Sequence, residues 1–379
     1  MQPQIVRFGF LAVLITLVGF SIWFALDEKN STSAPMATRR VKTPDEANRY
    51  GFLGSPHLGE YADYAKTGAG WVRPHPGEFV WGQIEKKRGA EYDFSDTDKE
   101  IEAIGRAKLA ALVTLWPFAE WDQKNHSKGS DCLSDDEFGW ALGIYRCNPT
   151  DWKAYANWIQ RIVERYDGDG IDDLESLPIR VKYWEIGNEP DLGQTGGPGN
   201  LKFHAEGANA YQEILIKTAA AIRKADPKAE VVIAGAAGGN DNFLAFWREV
   251  LADSDVQSAF DIANVHTISN DSYESLNVEP YKDLLNSLGI QKPIWVTEAE
   301  TFLSTDAKIN ATQLLASTKR AFELGAERIF YTSLNFKTPP GESGRKPSQS
   351  TLALDATFSE TDDPIKMYQI IFARVKGYE

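Results

Sequence analysis

The chain has 379 residues, of which 42% are hydrophobic and 25% charged, and its formal net charge at pH 7 is −14. This length fits one large domain or two ordinary ones, and a mean hydropathy of −0.37 is typical of a globular protein with a sizeable core. The excess of acidic residues argues against a nucleic acid partner, because phosphates require a basic protein surface.

A segment near the N-terminus differs in composition from the rest of the chain. Residues 8–26 carry no charge and are about long enough to span a bilayer. Arg7 before them predicts a cytoplasmic N-terminus, with the rest of the chain outside. Cleavage after Ala25 would put Trp23 where signal peptidase prefers a small residue, so an uncleaved signal anchor, a transmembrane helix within residues 1–26, is favoured over a cleaved, secreted form.

Residues 27–45 are polar and show no hydrophobic periodicity, which predicts a flexible stalk. The globular domain is then expected at 46–379. It would lie outside the cytoplasm, at the cell surface or in the periplasm, attached to the membrane through the N-terminal helix.

From residue 50 onward, short apolar runs alternate with amphipathic segments of helical period. The apolar runs predict eight strands, at Gly51–Ser55, Gly70–Pro74, Ala110–Trp116, Arg180–Asn188, Glu230–Gly235, Ile262–Ile268, Pro293–Thr297 and Arg328–Leu334. Helices are predicted to begin after Ser95, Thr150 and Thr305, and a last helix to cover 362–377. This alternation implies parallel strands with right-handed crossovers, and eight such units favour an α/β fold of the closed (β/α)8 (TIM) barrel type.

Two cysteines, Cys132 and Cys147, lie in one polar, turn-rich segment after the third predicted strand. Outside the cytoplasm, two such cysteines are expected to form a disulfide bond. No further ligands with suitable spacing accompany them, so the sequence predicts no metal site.

Strand four ends in the stretch YWEIGNEPD, which contains two glutamates. Alternation places Glu185 and Glu189 on the same face of the strand, separated by roughly 13 Å at ~3.3 Å per residue. In a barrel of this type functional side chains lie at the carboxyl ends of strands, so Glu189 is the functional candidate. Glu185 would lie deep in the barrel, where a carboxylate needs a cation, and Arg73 on strand two is predicted to supply it.

A second carboxylate is offered by the stretch KPIWVTEAE, where Glu298 lies at the tip of the seventh predicted strand, directly after Thr297. Two carboxyl groups facing each other across a barrel mouth can hydrolyse a glycosidic bond, one as proton donor and the other as nucleophile or base. Glu300 has the same parity as Glu298 and is a rival nucleophile.

These motifs resemble those of the retaining glycoside hydrolases of the large (β/α)8 clan whose two glutamates close strands four and seven (clan A). Within that clan the chain is most similar to the family 39 type, and the stretch WVRPHPGEFVWGQIEKKRGAEYDFSDTDKEI resembles that family's second strand and second helix. The resemblance covers about residues 50–335 and implies an O-glycosyl hydrolase without metal or cofactor. It implies these roles: acid/base for Glu189, nucleophile for Glu298, contact with the sugar 2-hydroxyl for Asn188, support of the nucleophile for Arg73, and contact with substrate for His266.

The sequence departs from the family at two places. Ile268 occupies a position that is often aromatic, and Tyr273 is expected to replace it from the following loop. The eighth strand has no tryptophan, so other rings are expected to stack on the sugar, namely Phe336, Tyr331, Trp116 and Trp121. Further candidates for the cleft are His75 and His57, whereas His126 and His204 are expected at the surface.

Three interpretations follow. The first is a monomeric, membrane-anchored retaining glycosidase with domain 46–379 catalytic, acting on a polysaccharide or oligosaccharide. The second is a catalytically silent barrel that binds glycans at the cell surface. The third is a transglycosidase that remodels an exported polysaccharide with the same residues, a sugar replacing water as acceptor.

Overall fold

The computed structural model describes residues 46–54, 61–193, 201–267, 272–300, 304–336 and 355–378. The predicted anchor and stalk, residues 1–45, lie outside this part of the chain. Within the described residues, no helix combines the length and the apolar character needed to span a bilayer.

Eight strands, all parallel, form a sheet in the order β5-β4-β3-β2-β1-β8-β7-β6. They are β1 (Tyr50–Gly54), β2 (Trp71–Pro74), β3 (Ala110–Leu115), β4 (Tyr183–Ile186), β5 (Glu230–Ile233), β6 (Ala263–His266), β7 (Ile294–Ala299) and β8 (Ala326–Tyr331). Backbone hydrogen bonds join the two outer strands of this order, for example from Ile233 to Ile262 at 3.1 Å and from His266 to Ala236 at 2.8 Å. The sheet is therefore a nearly closed barrel, and the predicted (β/α)8 fold is confirmed.

One main helix follows each strand. These are α1 (Tyr61–Thr67), α2 (Ser95–Ala107), α3 (Trp152–Tyr166), α4 (Ala208–Ala225), α5 (Asp241–Leu251), α6 (Val278–Ser287), α7 (Ala307–Glu323) and α8 (Pro364–Val375). Shorter helices lie at Trp81–Ile84, Glu120–Gln123, Gly139–Leu142 and Ser254–Ala259, with 3-10 turns at Gly129–Cys132, Tyr273–Ser275, Ala356–Glu360 and Lys376–Tyr378. Side chains just before four main helices accept hydrogen bonds from first-turn amides and so begin them, namely Asp151, Asn240, Asp306 and Asp363.

Aromatic side chains fill the lower interior of the barrel. The buried cluster there includes Trp71, Leu112, Tyr183, Trp295 and Phe330. Because strand side chains alternate, the residues two positions further along point inward as well, one layer higher. That layer is polar and contains Arg73, Thr114, Glu185 and Thr297. The barrel is thus packed below and carries charge towards the carboxyl ends of its strands.

Candidate active site

Arg73 lies at the centre of the polar layer. Its guanidinium donates three hydrogen bonds, each of 2.7 Å, to Glu185 Oε2, Glu298 Oε1 and Asn188 Oδ1. All four residues are buried. The predicted pairing of Arg73 with Glu185 is confirmed, and the same cation also contacts Glu298. Within the described residues Asn188 Nδ2 is buried without a partner, so this amide group is free to donate.

Glu185 has its oxygens satisfied by neighbouring strands. Besides Arg73, Thr114 donates to Oε2, Asn264 Nδ2 donates to Oε1 at 2.7 Å, and Thr297 Oγ1 lies 3.3 Å from Oε1. A buried carboxylate without such donors would be strongly destabilising. The sequence analysis missed the threonines and the asparagine, although their inward parity on β3, β6 and β7 was a usable signal.

The end of β4 explains how Glu189 reaches the barrel mouth. Gly187 and Glu189 both have positive φ angles, of 72° and 36°, so the backbone leaves the sheet before Pro190. Such a φ costs a non-glycine residue about 1–3 kcal/mol and persists only when the surroundings impose it. Tyr211 of α4 holds the turn by donating to the Ile186 carbonyl at 3.0 Å. The chain therefore turns the Glu189 carboxyl inward over the polar layer.

Glu189 and Glu298 face each other beside His266. The imidazole Nδ1 lies 2.7 Å from Glu189 Oε1 and 3.6 Å from Glu298 Oε1. A carboxyl oxygen of Glu189 lies within 4.8 Å of one of Glu298. β7 extends beyond its predicted end, so Glu298 lies within the strand, not after it. The oxygen–oxygen distance between Glu189 and Glu298 is thus shorter than the ~6.5–9.5 Å that separates the carboxyl groups of inverting glycosidases.

The hydrogen bonds around His266 assign its tautomer. Asn264 Nδ2 donates to Glu185, so its Oδ1 accepts the Thr297 hydroxyl proton at 2.9 Å. The Thr297 oxygen is then left to accept from His266 Nε2, which lies 2.8 Å away. With its proton on Nε2, the neutral ring can only accept at Nδ1. The geometry therefore places a proton on Glu189, which donates it to His266.

The electrostatics agree with this assignment. Burial lowers the pKa of His266 well below its usual value, and the charge of Arg73 lowers it further, which keeps the imidazole neutral. Burial and the neighbouring charge of Glu298 raise the pKa of Glu189 well above its usual value. Burial also raises the pKa of Glu298, to about 7, but the Arg73 guanidinium opposes this. Of the two coupled carboxyls, Glu298 has the cation and is the one that ionises first.

A further acid behind the site escaped the sequence analysis. Asp191 is buried and accepts hydrogen bonds from the Ala237 amide at 3.1 Å and from Trp247 Nε1 at 2.9 Å. Burial raises its pKa to about 7. These contacts tie the segment that follows Glu189 to the end of β5 and to α5, and so help to fix the position of Glu189.

Glu300, the rival nucleophile, is hydrogen-bonded to two threonines. Its amide donates to Thr267 Oγ1 at 2.8 Å, and its carboxyl Oε2 accepts from Thr332 Oγ1 at 3.2 Å. The Arg73 guanidinium forms an ion pair with Glu298 at 2.7 Å. Glu298 is thus bonded directly to the buried cation.

Two of the predicted stacking rings are packed in the core. Tyr331 is fully buried, and its hydroxyl lies 3.2 Å from Thr318 Oγ1 on α7. Phe336 is buried against Tyr368 of α8, with ring centroids 4.6 Å apart. The prediction that they offer a face to sugar is wrong for this structure, because the final helix packs over the eighth strand.

The tryptophans of the third strand and its loop are packed as well. Trp116 is fully buried and donates to the Pro76 carbonyl at 2.6 Å. Trp121 is half-buried, contacts Trp81 edge-on and donates to the Glu85 carbonyl. Trp116 presents no open ring face, which corrects the prediction of stacking at that position, whereas part of Trp121 remains exposed.

His75 lies beside the polar layer, two residues after Arg73. It is half-buried among the rings of Trp116, Phe138 and Phe203, with centroids about 6 Å away. Within the described residues its Nδ1 has no partner. Burial and Arg73 lower its pKa well below the usual value, so the ring is neutral. It therefore remains a candidate for contact with substrate.

Of the other residues singled out in the sequence, His204 lies in a different environment from the one predicted. His204, expected at the surface, is buried and contacts Asn148 Oδ1 at 3.0 Å and the Glu206 carbonyl at 2.9 Å. Tyr273 is half-buried in the 3-10 turn after β6. Ile268 and His57 lie outside the described residues.

The predicted disulfide between Cys132 and Cys147 is present. It removes both cysteines as metal ligands, although His126 lies beside them. Glu189, His266 and Glu298 could offer three ligand atoms, but the adjacent Arg73 guanidinium repels a cation. The arrangement suits proton transfer and nucleophilic attack by the chain's own carboxyl groups.

No family model matches the sequence, and a search of curated proteins finds no match. Among solved structures, the chain is similar to a glucosidase from Croceicoccus marinus, with a TM-score of 0.58 and 14% identity over 88% of this chain and 69% of that one. It is also similar to a monomeric β-xylosidase from Caulobacter crescentus CB15, with a TM-score of 0.56 and 16% identity over 88% and 70%.

A family 39 glycoside hydrolase from Bacteroides cellulosilyticus WH2 is a third similar structure. Its TM-score is 0.52 at 16% identity, and the match covers 77% of this chain but only 58% of that one. At these identities the likeness establishes the fold. The resemblance predicted from the motifs is therefore confirmed at the level of the (β/α)8 barrel.

Proposed function

We propose that this protein is a retaining glycoside hydrolase that cleaves a polysaccharide or oligosaccharide by double displacement. The observation that carries the proposal is the pair of buried carboxyls, Glu189 and Glu298, with oxygens within 4.8 Å and unequal surroundings. One is bound to a neutral imidazole and the other to a guanidinium. An acid and a nucleophile need that difference. The glycosidases among the structural neighbours support the same class.

In the proposed mechanism Glu298 attacks the anomeric carbon while Glu189 protonates the leaving oxygen. Glu189 Oε2 is buried and has no partner in the described part of the chain, so the leaving oxygen can approach it, and the carboxyl proton moves from Oε1, where it bonds to His266, to Oε2 for the transfer. Asn188 is held by Arg73 through its oxygen, which leaves its amide group to donate to a sugar hydroxyl. After the first step Glu189, now ionised, activates the water that releases the sugar.

The test separates the two glutamates by the tasks assigned to them. Glu298→Ala should abolish turnover of every glycoside, and azide should restore it by filling the vacated position. Glu189→Ala should still release dinitrophenol in a burst from a dinitrophenyl glycoside, because that leaving group needs no proton, and then stall. Glu300→Ala is the matched control and should keep turnover.

Three results would contradict these roles: loss of turnover in Glu300→Ala instead of Glu298→Ala, equal failure of Glu189→Ala on activated and unactivated substrates, or no hydrolysis of any aryl glycoside by the unmodified protein. The last would favour the silent glycan-binding barrel. Sizing of the products would reveal a transglycosidase, since longer chains would then accumulate.

We also propose that residues 1–26 anchor the protein in the membrane, with domain 46–379 outside the cytoplasm. The support is the uncharged run at 8–26 and Arg7 before it. Protease added to intact cells should release the domain and leave a membrane stub. A fully protected domain, or a mature chain that begins after residue 25, would refute the anchor.

A further inference from the structure

A cleft of about 530 Å³ opens beside the polar layer, between the end of β2 and helix α2. Its lining includes His75, Glu78, Lys99, Glu100, Arg106 and Trp140. The volume lies within the ~300–1,000 Å³ typical of small-molecule sites. Because His75 follows Arg73 by two residues, the cleft begins next to the proposed reaction centre.

One wall of the cleft carries an open tryptophan. Trp140 is 74% exposed, whereas every other tryptophan discussed above is buried or half-buried. It lies in the short helix Gly139–Leu142, inside the loop closed by the disulfide. That helix is docked onto the β2 side by Gln83, whose amide donates to the Ala141 carbonyl. The backbone that carries the ring is therefore anchored, and an exposed ring at an anchored position can stack against the apolar face of a sugar.

The floor of the cleft carries an unsatisfied acid. Glu100 is fully buried, and Tyr61 donates its hydroxyl proton to Oε1. Oε2 has no partner in the described part of the chain. Burial raises the pKa of Glu100 to about 8, so this carboxyl is largely protonated at neutral pH. A hydroxyl group can accept from the protonated acid or donate to the ionised one, and either contact relieves an unpaired buried group.

The charges around the cleft favour an uncharged ligand. Lys99 is paired with Asp96 at 2.7 Å, and Arg106 with Glu102 at 3.6 Å. Both cations that line the cleft therefore already have carboxylate partners, which leaves little attraction for an acidic sugar. A ligand with many hydroxyls and one apolar face meets the requirements of both the floor and the wall.

We propose that this cleft is a second saccharide subsite, in which Trp140 stacks on a neutral sugar unit and Glu100 hydrogen-bonds one of its hydroxyls. The inference rests on the proposed function, because the sugar unit bound here belongs to the same saccharide whose glycosidic bond is cleaved by Glu189 and Glu298. It goes further by assigning recognition of a longer chain to the disulfide-closed loop. Short substrates would not reach Trp140, whereas oligosaccharides would.

The experiment compares a 4-nitrophenyl monoglycoside with a ladder of oligosaccharides of the same sugar, from disaccharide to hexasaccharide, for the glucose, xylose and mannose series. Trp140→Ala should lower kcat/KM on the longest oligosaccharide about tenfold or more and leave the monoglycoside unchanged. Glu100→Met should act in the same direction, and Glu100→Gln should retain binding because its amide can also donate. Ile144→Ala is the matched control, since Ile144 is exposed on the same loop but does not line the cleft.

Equal loss on short and long substrates, or no loss in Trp140→Ala, would overturn the subsite and leave the proposed function intact. If the unmodified protein hydrolyses nothing, the proposed function fails. Binding at the subsite is then measured separately, from the change in tryptophan fluorescence as each of the three hexasaccharides is added. A fluorescence change that is present in the unmodified protein and absent from Trp140→Phe supports it. No change with any of the three, or a change that Trp140→Phe retains, rejects it.

Discussion

The replacement Thr297→Val tests the assignment of the proton to Glu189. The threonine hydroxyl is the acceptor for His266 Nε2, at 2.8 Å, and valine keeps the shape while removing that acceptor. A buried N–H without a partner is unfavourable, so the imidazole proton should move to Nδ1. From there it would donate to an ionised Glu189 and stabilise that form, so Glu189 would lose its proton at a lower pH.

The magnitude follows from the one hydrogen bond that changes. A net contribution of about 1–1.5 kcal/mol for such a bond, at 1.36 kcal/mol per pKa unit, lowers the pKa of Glu189 by ~1 unit. The alkaline limb of kcat/KM reports deprotonation of the acid in the free enzyme, so it should move to lower pH by about that amount. The acidic limb, which reports Glu298, should move less, because Arg73 remains in place.

The assay is the pH dependence of kcat/KM for an unactivated glycoside, with urea unfolding measured in parallel. Thr114→Val is the matched control, because Thr114 is also a buried threonine that donates to Glu185 but it does not contact His266. Both variants should lose about 1–3 kcal/mol of stability. An alkaline limb unchanged in Thr297→Val, or moved equally in both variants, would refute the tautomer and the proton position derived from it.

Three other substitutions test the supporting structure. Gly235→Ala should lower kcat/KM at least tenfold, because a methyl group there would overlap the His266 ring. Circular dichroism should show that the variant stays folded, and normal activity would refute the fixed ring position. Replacing Cys132 and Cys147 by serine should cost about 3 kcal/mol of stability for a 15-residue loop, measured by urea unfolding, and an unchanged midpoint would contradict this. Asp191 binds a proton more tightly in the folded protein, so the free energy of unfolding should fall as pH rises from 3.8 towards about 7. Asp191→Asn should flatten this pH dependence. Equal dependence in the variant and the unmodified protein would show that another group titrates.

The sequence by itself determined the barrel and singled out its candidate glutamates. Eight apolar runs separated by amphipathic helices leave few alternatives to a closed parallel sheet, and strand parity places Glu185 on the inward face. The need of a buried carboxylate for a cation pointed to Arg73. Each of these inferences uses only local periodicity and the cost of burying charge.

The tertiary structure decided which side chains meet. Thr114, Asn264 and Thr297 converge on Glu185 from three strands, and the Asn264–Thr297 contact assigns the His266 tautomer. Parity gives the face of each side chain but not its height relative to distant strands, which depends on how the strands pair around the barrel.

The aromatic rings show most clearly that the position of a side chain along a strand does not determine its environment. Tyr331 and Trp116 were expected to stack on sugar, yet both are buried, while the open ring belongs to Trp140 in the disulfide-closed loop. A large aromatic side chain is stabilised equally well by a core or by a ligand, so its identity and strand position do not distinguish the two environments. Only the packing of the final helix, and of the loops around the barrel mouth, determines which rings remain exposed.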